Sequence, residues 1–185
     1  MDVLWIRNHL IKNQRVGDMN NKVHSFPPIV SENSKVLILG SMPGSASLSV
    51  GQYYAKKGNA FWPIMGELFG AGPSSPYDER VKLLQSAGVA LWDALRTCER
   101  PGSEDAAITD EVPNDFERFF RENSNITHVF FNGGKAEEAF RRHTSPSKHK
   151  LHRLPSTSPL YAAMPLEEKV KAWSVVRAVL SEARS

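Results

Sequence analysis

Cysteine occurs once in the 185 residues, at Cys98. A single thiol excludes an internal disulfide framework and any zinc or iron–sulfur site built from several cysteines. No stretch approaches the roughly 18 consecutive apolar residues that a membrane-spanning helix requires. Residues 1–20 hold neither an apolar leader core nor a small-residue cleavage site. A soluble, cytoplasmic protein is the expectation. Several chemical signatures are also missing. "GSMPG" lacks the G-x-G-x-x-G of a dinucleotide loop, and "FNGGKA" lacks both the spacing of a phosphate loop and a Ser or Thr after its Lys. There is no G-x-S-x-G elbow, and no His/Cys/carboxylate group at metal-ligand spacing. Neither metal nor cofactor is expected.

What is present suits one globular unit with a substantial core, since 41% of the residues are apolar and 23% charged. We divide the chain into an appendage, residues 1–22, and a single domain, residues 23–185. The net charge of +3 is unevenly spread. Between Lys135 and Arg153 stand six Lys or Arg, three His and only Glu137 and Glu138, whereas acids outnumber bases ten to five from Pro73 to Phe119. A basic segment of this kind suits a polyanion on one face; it suits a solvated surface helix equally well.

Hydrophobic patterning yields alternating elements. "KVLILG" (35–40) is a short aliphatic run closed by glycine, the pattern of a strand buried on both faces. "NAFWPIMGELFG" is helical, with Asn59 placed to cap it, Pro63 in its first turn and Gly70 as its stop. "DERVKLLQSAG" is an amphipathic helix, "VALWDAL" (89–95) a second strand, and "DEVPNDFERFFREN" (110–123) a further helix. "THVFFNGG" is a third strand, "KAEEAFRRH" a helix launched from glycines, "KHKLHRLP" a last strand and "LEEKVKAWSVVRAVLSEAR" a closing helix. "VLWIRNHLIKN" could form a short helix near the start. Strands alternating with helices predict a parallel sheet covered on both faces. Ligands on such sheets sit at the carboxyl ends of the strands. The candidate site is therefore built from the segments 40–62, 92–105, 132–135 and 154–165.

Four of these segments, "LILGSMPGSASL", "QYYAKKGNAFW", "ALWDALRTCERPGSEDAAI" and "LPSTSPLYAAMP", together resemble the uracil-DNA glycosylase superfamily. Its hypoxanthine-DNA (deoxyinosine) and mismatch-specific uracil glycosylase branches are the nearest. The resemblance covers residues 36–165. It implies an α/β fold, a three-layer α/β/α sandwich with a short, mainly parallel central sheet. It also implies hydrolysis of the N-glycosidic bond of a deaminated base in DNA, leaving an abasic site, without metal or cofactor. The base must leave the duplex, at a cost of a few kcal/mol, to reach the pocket. The implied partner is DNA containing deaminated bases, the protein acting as a monomer and associating with the nucleoid when bound.

The resemblance also assigns roles. In most branches the third residue of the first motif is Asn or Asp and activates water; here it is Met42, which can do neither. The deoxyinosine branch uses the asparagine of an N-x-F-W segment instead, and Asn59 matches it. That residue would orient water, and it could equally cap the helix that follows. Tyr54 falls where relatives place an aromatic that stacks on the flipped base. Asp93 aligns with the residue that reads the base edge; its carboxylate could accept from hypoxanthine N1–H or uracil N3–H, or pair with Arg96 or Arg100. Gly40, Ser41 and Met42 would lie along the base, and Gly44 would let the DNA backbone approach. Ser156, Thr157 and Ser158 would hydrogen-bond phosphate, with Leu160 as the wedge that fills the vacated stack. Lys135, with Lys56, Lys57, Arg142, Lys148 and Arg153, would add phosphate contacts. Tyr53 has no defined role, and Phe61 and Trp62 are expected in the core. Lacking a lysine in a nucleophile position, the enzyme would be monofunctional. Three alternatives remain: a mismatch uracil/thymine glycosylase, a non-catalytic binder of damaged DNA, and a nucleotide-binding regulator using the Gly44 loop.

Overall fold

The computed structural model describes residues 22–101, 107–144 and 148–183. The proposed appendage and its short helix lie outside them, except for Lys22, which begins the first strand. Residues 102–106, part of the third motif, also lie outside.

Strands β2 (Val36–Gly40), β3 (Val89–Asp93), β6 (His128–Asn132) and β7 (Lys150–Leu154) form a parallel sheet in the order β3-β2-β6-β7. Each connection crosses over through at least one helix. The order reverses at β2, whose chain leaves between β3 and β6, so the loop after Gly40 opens at a topological switch point.

The period of two along each strand sorts the aliphatic residues into two cores. Val36, Ile38, Val89, Leu91 and Phe130 face helices α2 (Phe61–Phe69), α3 (Tyr77–Ala87) and α6 (Leu166–Glu182), and pack with Phe61, Leu84, Trp173 and Val176. Leu37, Leu39, Ala90, Trp92, Val129 and Phe131 face the other way, toward α4 (Phe116–Glu122) and α5 (Gly134–His143), packing with Phe116, Phe119, Ala136 and Phe140. This is the expected α/β/α sandwich. Burial on both faces explains why the strands read as continuous apolar runs. Among the described residues no helix is long and apolar enough to cross a membrane.

Two expectations need correction. The strand read as 89–95 ends at Asp93, and the chain turns at Ala94 into β4 (Leu95–Glu99) of a separate antiparallel sheet, order β1-β4-β5, where β1 is Lys22–His24. The helix read over 110–123 is two elements: β5 (Thr109–Pro113) pairs with β4, and Asp115 starts α4 by accepting from Arg118 N–H at 3.0 Å. Cross-strand pairing overrides the weak helical pattern of "DEVP", and Pro113 with the Asp115 cap marks the true start. A short helix α1 (Ser45–Val50) inside the first motif was not expected.

Candidate active site

A cavity of about 530 Å³ opens at the carboxyl edge of the parallel sheet, within the ordinary range for small-molecule sites. Its wall includes Gly40, Ser41, Met42, Gly44, Tyr54, Asn59, Asp93, Lys135, Ser156, Thr157, Ser158 and Leu160. These residues border one space, along with Lys56, whereas Lys57, Arg142, Lys148 and Arg153, also singled out as phosphate contacts, do not line it. Their individual environments differ, and several depart from expectation.

The floor is set by β2 and β3. Gly40 pairs in register with Asp93. A Cβ on Gly40 would stand 2.6 Å from Asp93 Oδ1 and 3.0 Å from the Tyr54 hydroxyl, so only glycine lets these two groups converge there. Asp93 is 3% exposed, and the turn beyond it is fixed. Ala94 N–H donates to Gly40 O (2.8 Å), Leu95 N–H to Ser41 O (3.1 Å), and Asn114 Nδ2 to Asp93 O (2.8 Å). Arg100, buried, donates to Pro43 O and pins the loop after Ser41. A Cβ on Gly44 would meet nothing within 4 Å, so the loop faces open space there.

Tyr54 forms one side wall in an uncommon backbone state. Its φ of 56° lies in the left-handed region, which costs a non-glycine residue on the order of 1–3 kcal/mol. The neighbours hold it there. Tyr53 N–H donates to the Tyr77 hydroxyl (3.0 Å), Trp62 Nε1 donates to Tyr53 O (2.8 Å), and Ala55 N–H donates to Ser47 Oγ (3.1 Å). The Tyr53 hydroxyl donates to Pro27 O at 3.2 Å, and burial with the nearby Asp93 charge pushes its pKa well above the ordinary range. Tyr53 is thereby a buried support. The Tyr54 ring stacks on Phe61, centroids 4.1 Å apart and planes within 22°. Phe61 and Trp62 are core, as expected.

Asn59 lies just before Ala60, the N-cap of α2, and its Oδ1 accepts from Phe61 N–H at 2.9 Å. The expected cap is thus displaced by one residue: Asn59 makes a side-chain turn onto the first helical N–H, which fixes its amide plane while leaving the Nδ2 hydrogens as donors beside the cavity.

The opposite wall is the loop 155–161. Its serines form local turns: Ser158 N–H donates to Ser156 Oγ (3.2 Å) and Leu160 N–H to Ser158 Oγ (3.3 Å). Leu160 projects with 69% of its surface exposed, the most of any large apolar residue described, and Tyr161 follows at 43%. Two side chains of α6, one turn apart, clamp the loop. Trp173 Nε1 donates to Pro155 O (3.0 Å) and the buried Lys169 Nζ to Tyr161 O (2.8 Å). Burial lowers the Lys169 pKa.

Three placements correct the sequence reading. Thr157 is 1% exposed and faces inward: its N–H donates to Asn132 Oδ1, and its Oγ1 accepts from Asn132 Nδ2, both at 2.8 Å. It holds the loop and does not present a hydroxyl to phosphate. Met42, 6% exposed, belongs mainly to the second core, which accounts for an apolar residue at that motif position. The basic segment is largely neutralised internally. Glu111, on β5, lies 3.0 Å from Lys135 Nζ, 2.8 Å from Arg142 and 3.1 Å from His143. Glu137 pairs with Arg141 (2.9 Å) and Arg153, and Glu138 with Arg142. Burial would raise both Glu111 and Glu137, but the hydrogen bonds and charges of these cations outweigh it and hold both carboxyls below their usual range. The exposed Lys56, on the cavity rim, and the neighbouring Lys57 have no ion-pair partner among the described residues.

Sequence reasoning placed segment 132–135 at the site but gave Asn132 and Gly133 no duty there, and it missed Asn114 and Lys169. Asn132 could have been found, as a polar residue ending an apolar strand next to two glycines. The others act through tertiary contacts that no local pattern encodes.

The parallel sheet thus carries a switch-point cavity with an aromatic wall, a carboxylate at its floor and an exposed apolar tip beside it. Residues 27–177 match the uracil DNA glycosylase superfamily, and the chain belongs to that family. Among its relatives, a hypoxanthine DNA glycosylase of Methanosarcina barkeri is 39% identical over 118 residues, 63% of this chain and 75% of that protein. One of Methanosarcina acetivorans is 37% identical over 114 residues, 61% of this chain and 72% of that protein. A Methanosarcina acetivorans protein solved by solution NMR, provisionally named a uracil DNA glycosylase, superimposes with a TM-score of 0.72 at 30% identity, covering 86% of this chain and 99% of that one.

Proposed function

We propose that the protein is a monofunctional DNA glycosylase that removes hypoxanthine, arising from deaminated adenine, and leaves an abasic site. The observation that carries this reading is the convergence of the Asp93 carboxylate and the Tyr54 hydroxyl over Gly40, at the floor of a cavity that Asn59 also lines. A flipped hypoxanthine slides between Tyr54 and the opposite wall, stacking on the ring, a contact worth about 1–3 kcal/mol. Phe61 backs that ring, so binding does not need to order it. The Asp93 carboxylate accepts from N1–H. Adenine carries a lone pair at N1, which would face the carboxylate and be rejected; burying unpaired polar groups is a strong basis for discrimination.

The bond from C1′ to N9 breaks with its electrons moving to the base, while positive charge spreads over the sugar C1′ and ring oxygen, as in other glycoside cleavages. Asn59 cannot take a proton, so it acts by orientation: its Nδ2 donor holds the attacking water or the departing base, with the amide plane fixed by Phe61 N–H. The water oxygen bonds to C1′ and its proton passes to the departing hypoxanthine anion. Met42 supplies no base for a poorer leaving group, which favours hypoxanthine over uracil. Leu160 enters the emptied stack, as apolar wedges do in kinked duplexes.

The test is a set of single-lesion duplexes carrying hypoxanthine, xanthine, uracil or mismatched thymine, treated with the protein and then with alkali. Strand breaks at hypoxanthine, weakened by Asn59→Ala and by Asp93→Ala, are expected. Lesion binding without release of any free base would make the protein a non-catalytic damage binder and end the enzymatic reading. Preference for uracil would leave the pocket but overturn the substrate.

A further inference from the structure

Asn132 ends β6 at the cavity, and nothing in the reaction as described uses it. Both polar atoms of its amide are committed to one residue: Oδ1 accepts from Thr157 N–H and Nδ2 donates to Thr157 Oγ1, each at 2.8 Å. Thr157 O in turn accepts from Ala60 N–H at 2.9 Å. Ala60 is the residue after Asn59, whose own N–H donates to Lys56 O (3.0 Å) and whose side chain is tied to Phe61 N–H. An unbroken path of hydrogen bonds therefore runs from the central sheet, through the wedge loop, to the start of α2. Gly133 packs the same junction closely, since a Cβ there would meet Ser156 Cβ at 3.0 Å.

From this path we infer that Asn132 is a positioning residue for Asn59: it fixes the 155–161 loop to the rigid end of β6 and, through Thr157 O, sets the place of the Asn59 amide relative to the base. The inference rests on the glycosylase reading above. Its physical basis is that reacting groups must be held to within about an ångström, and a displacement of that size can cost on the order of 10²-fold in rate. A carboxamide suits the position because it offers one acceptor and one donor in a fixed plane, matching the N–H and hydroxyl of a single threonine. Two roles of the molecule, wedge insertion and bond cleavage, are in this way built on one anchor.

The test compares single-turnover release of hypoxanthine from a single-stranded oligonucleotide, where no vacated stack calls for the wedge, by the full chain and its variants, alongside affinity for that strand and hydrogen exchange at Ala60 N–H. Asn132→Leu should slow release about 30-fold while changing DNA affinity by no more than about 2-fold. Exchange at Ala60 should quicken, with β2 amides unaffected. Asn132→Asp should recover most of the rate, because its carboxylate can accept from both Thr157 N–H and Thr157 O–H. In an Asn59→Ala background, Asn132→Leu should cost no more than about another 2-fold, since residues acting as a unit are not additive. Thr157→Val, a milder change if Asn132→Leu does not fold, should slow release about 3-fold.

Additive losses in the double variant would mean that Asn132 acts on the base itself, and would overturn the inference. So would an unchanged rate despite faster Ala60 exchange, or a Thr157→Val variant with loosened Ala60 and full activity. An Asn59→Ala enzyme that still releases hypoxanthine at full rate would instead remove the mechanism on which the inference stands.

Discussion

The two walls of the cavity are built on opposite principles. The Tyr54 wall is solid: Tyr54 stacks on Phe61, Phe61 meets Trp62 and Trp173 edge-on, and Arg80 lies over the Trp62 ring at 4.6 Å. The 155–161 wall has almost no apolar backing at its tip, and is shaped instead by serine turns and by hydrogen bonds with Asn132, Lys169 and Trp173. The first wall must present a flat surface in one place, which continuous packing does well. The second carries an exposed leucine, the wedge in the function proposed above, so its rigidity has to come from hydrogen bonds at the base of the loop. The contrast teaches that preorganisation can be reached through either kind of contact, and that each fails differently.

Removing the packing of the first wall should have the largest effect. Phe61 is fully buried, and Phe61→Ala should lower unfolding stability by about 3–5 kcal/mol in urea titrations, with loss of excision as Tyr54 loses its backing. Unaltered stability would show that the aromatic stack is not structural. Tyr54 offers a finer cut. Both Tyr54→Ala and Tyr54→Gly should weaken lesion binding by about 1–3 kcal/mol. The glycine variant should nevertheless be the more stable of the two by about 1 kcal/mol, since only it relieves the positive φ. Equal stability would remove the strain argument.

The second wall should respond in the reverse sense. Leu160→Ala should leave stability within about 0.5 kcal/mol but slow excision from duplexes about tenfold, with little change on single strands. Uniform loss on both substrates would deny the wedge. Charge around the cavity gives a smaller contrast. Lys56→Gln should reduce the salt slope of DNA binding by about 0.9, the value of one phosphate contact, and Lys135→Gln by clearly less, because Lys135 is already paired with Glu111. Equal slopes would restore Lys135 as a phosphate ligand.

The smallest effect lies on the far edge of the sheet. His128, His149 and His152 have pKa values lowered first by burial and then by neighbouring positive charge, from Lys150 near His152, from Lys148 near His149, and from His152 and Lys150 near His128. As pH falls through about 6.5, the unfolded chain takes up protons before the folded one, so stability present above that value is lost toward the lowered folded values. A modest fall in Tm between about pH 7.5 and about pH 5.5 is expected, reduced in His152→Phe, whose stacking on Phe130 can be kept while a buried, unpartnered Nε2 is removed. An unchanged pH profile in that variant would remove His152 as a source of the acid lability and leave His128 and His149 to carry it.

The legibility of the molecule followed the range of the interactions. The four strands of the parallel sheet, the two long helices α3 and α6 and the stop at Gly70 could be read because each depends on neighbours a few residues away. The antiparallel sheet could not: β5 is polar, and its partner β4 begins two residues after the parallel β3 has ended. The members of the site were legible as a group through motif order, but their duties were not. Nothing in "STS" distinguishes a threonine turned to Asn132 from two serines that shape a turn, and a cluster of cations does not announce that Glu111, far along the chain, will neutralise it.

By itself, the amino-acid sequence determined the alternation of buried strands and covering helices, and the presence of an aromatic, an amide and a carboxylate at strand ends, because burial and capping are local bookkeeping. Only the tertiary structure decided that Gly40 must be bare for Asp93 and Tyr54 to meet, that Thr157 faces inward, and that the basic segment is mostly paired. Those outcomes depend on distances between residues far apart in the chain, which the packing of the sheet alone brings within a few ångströms.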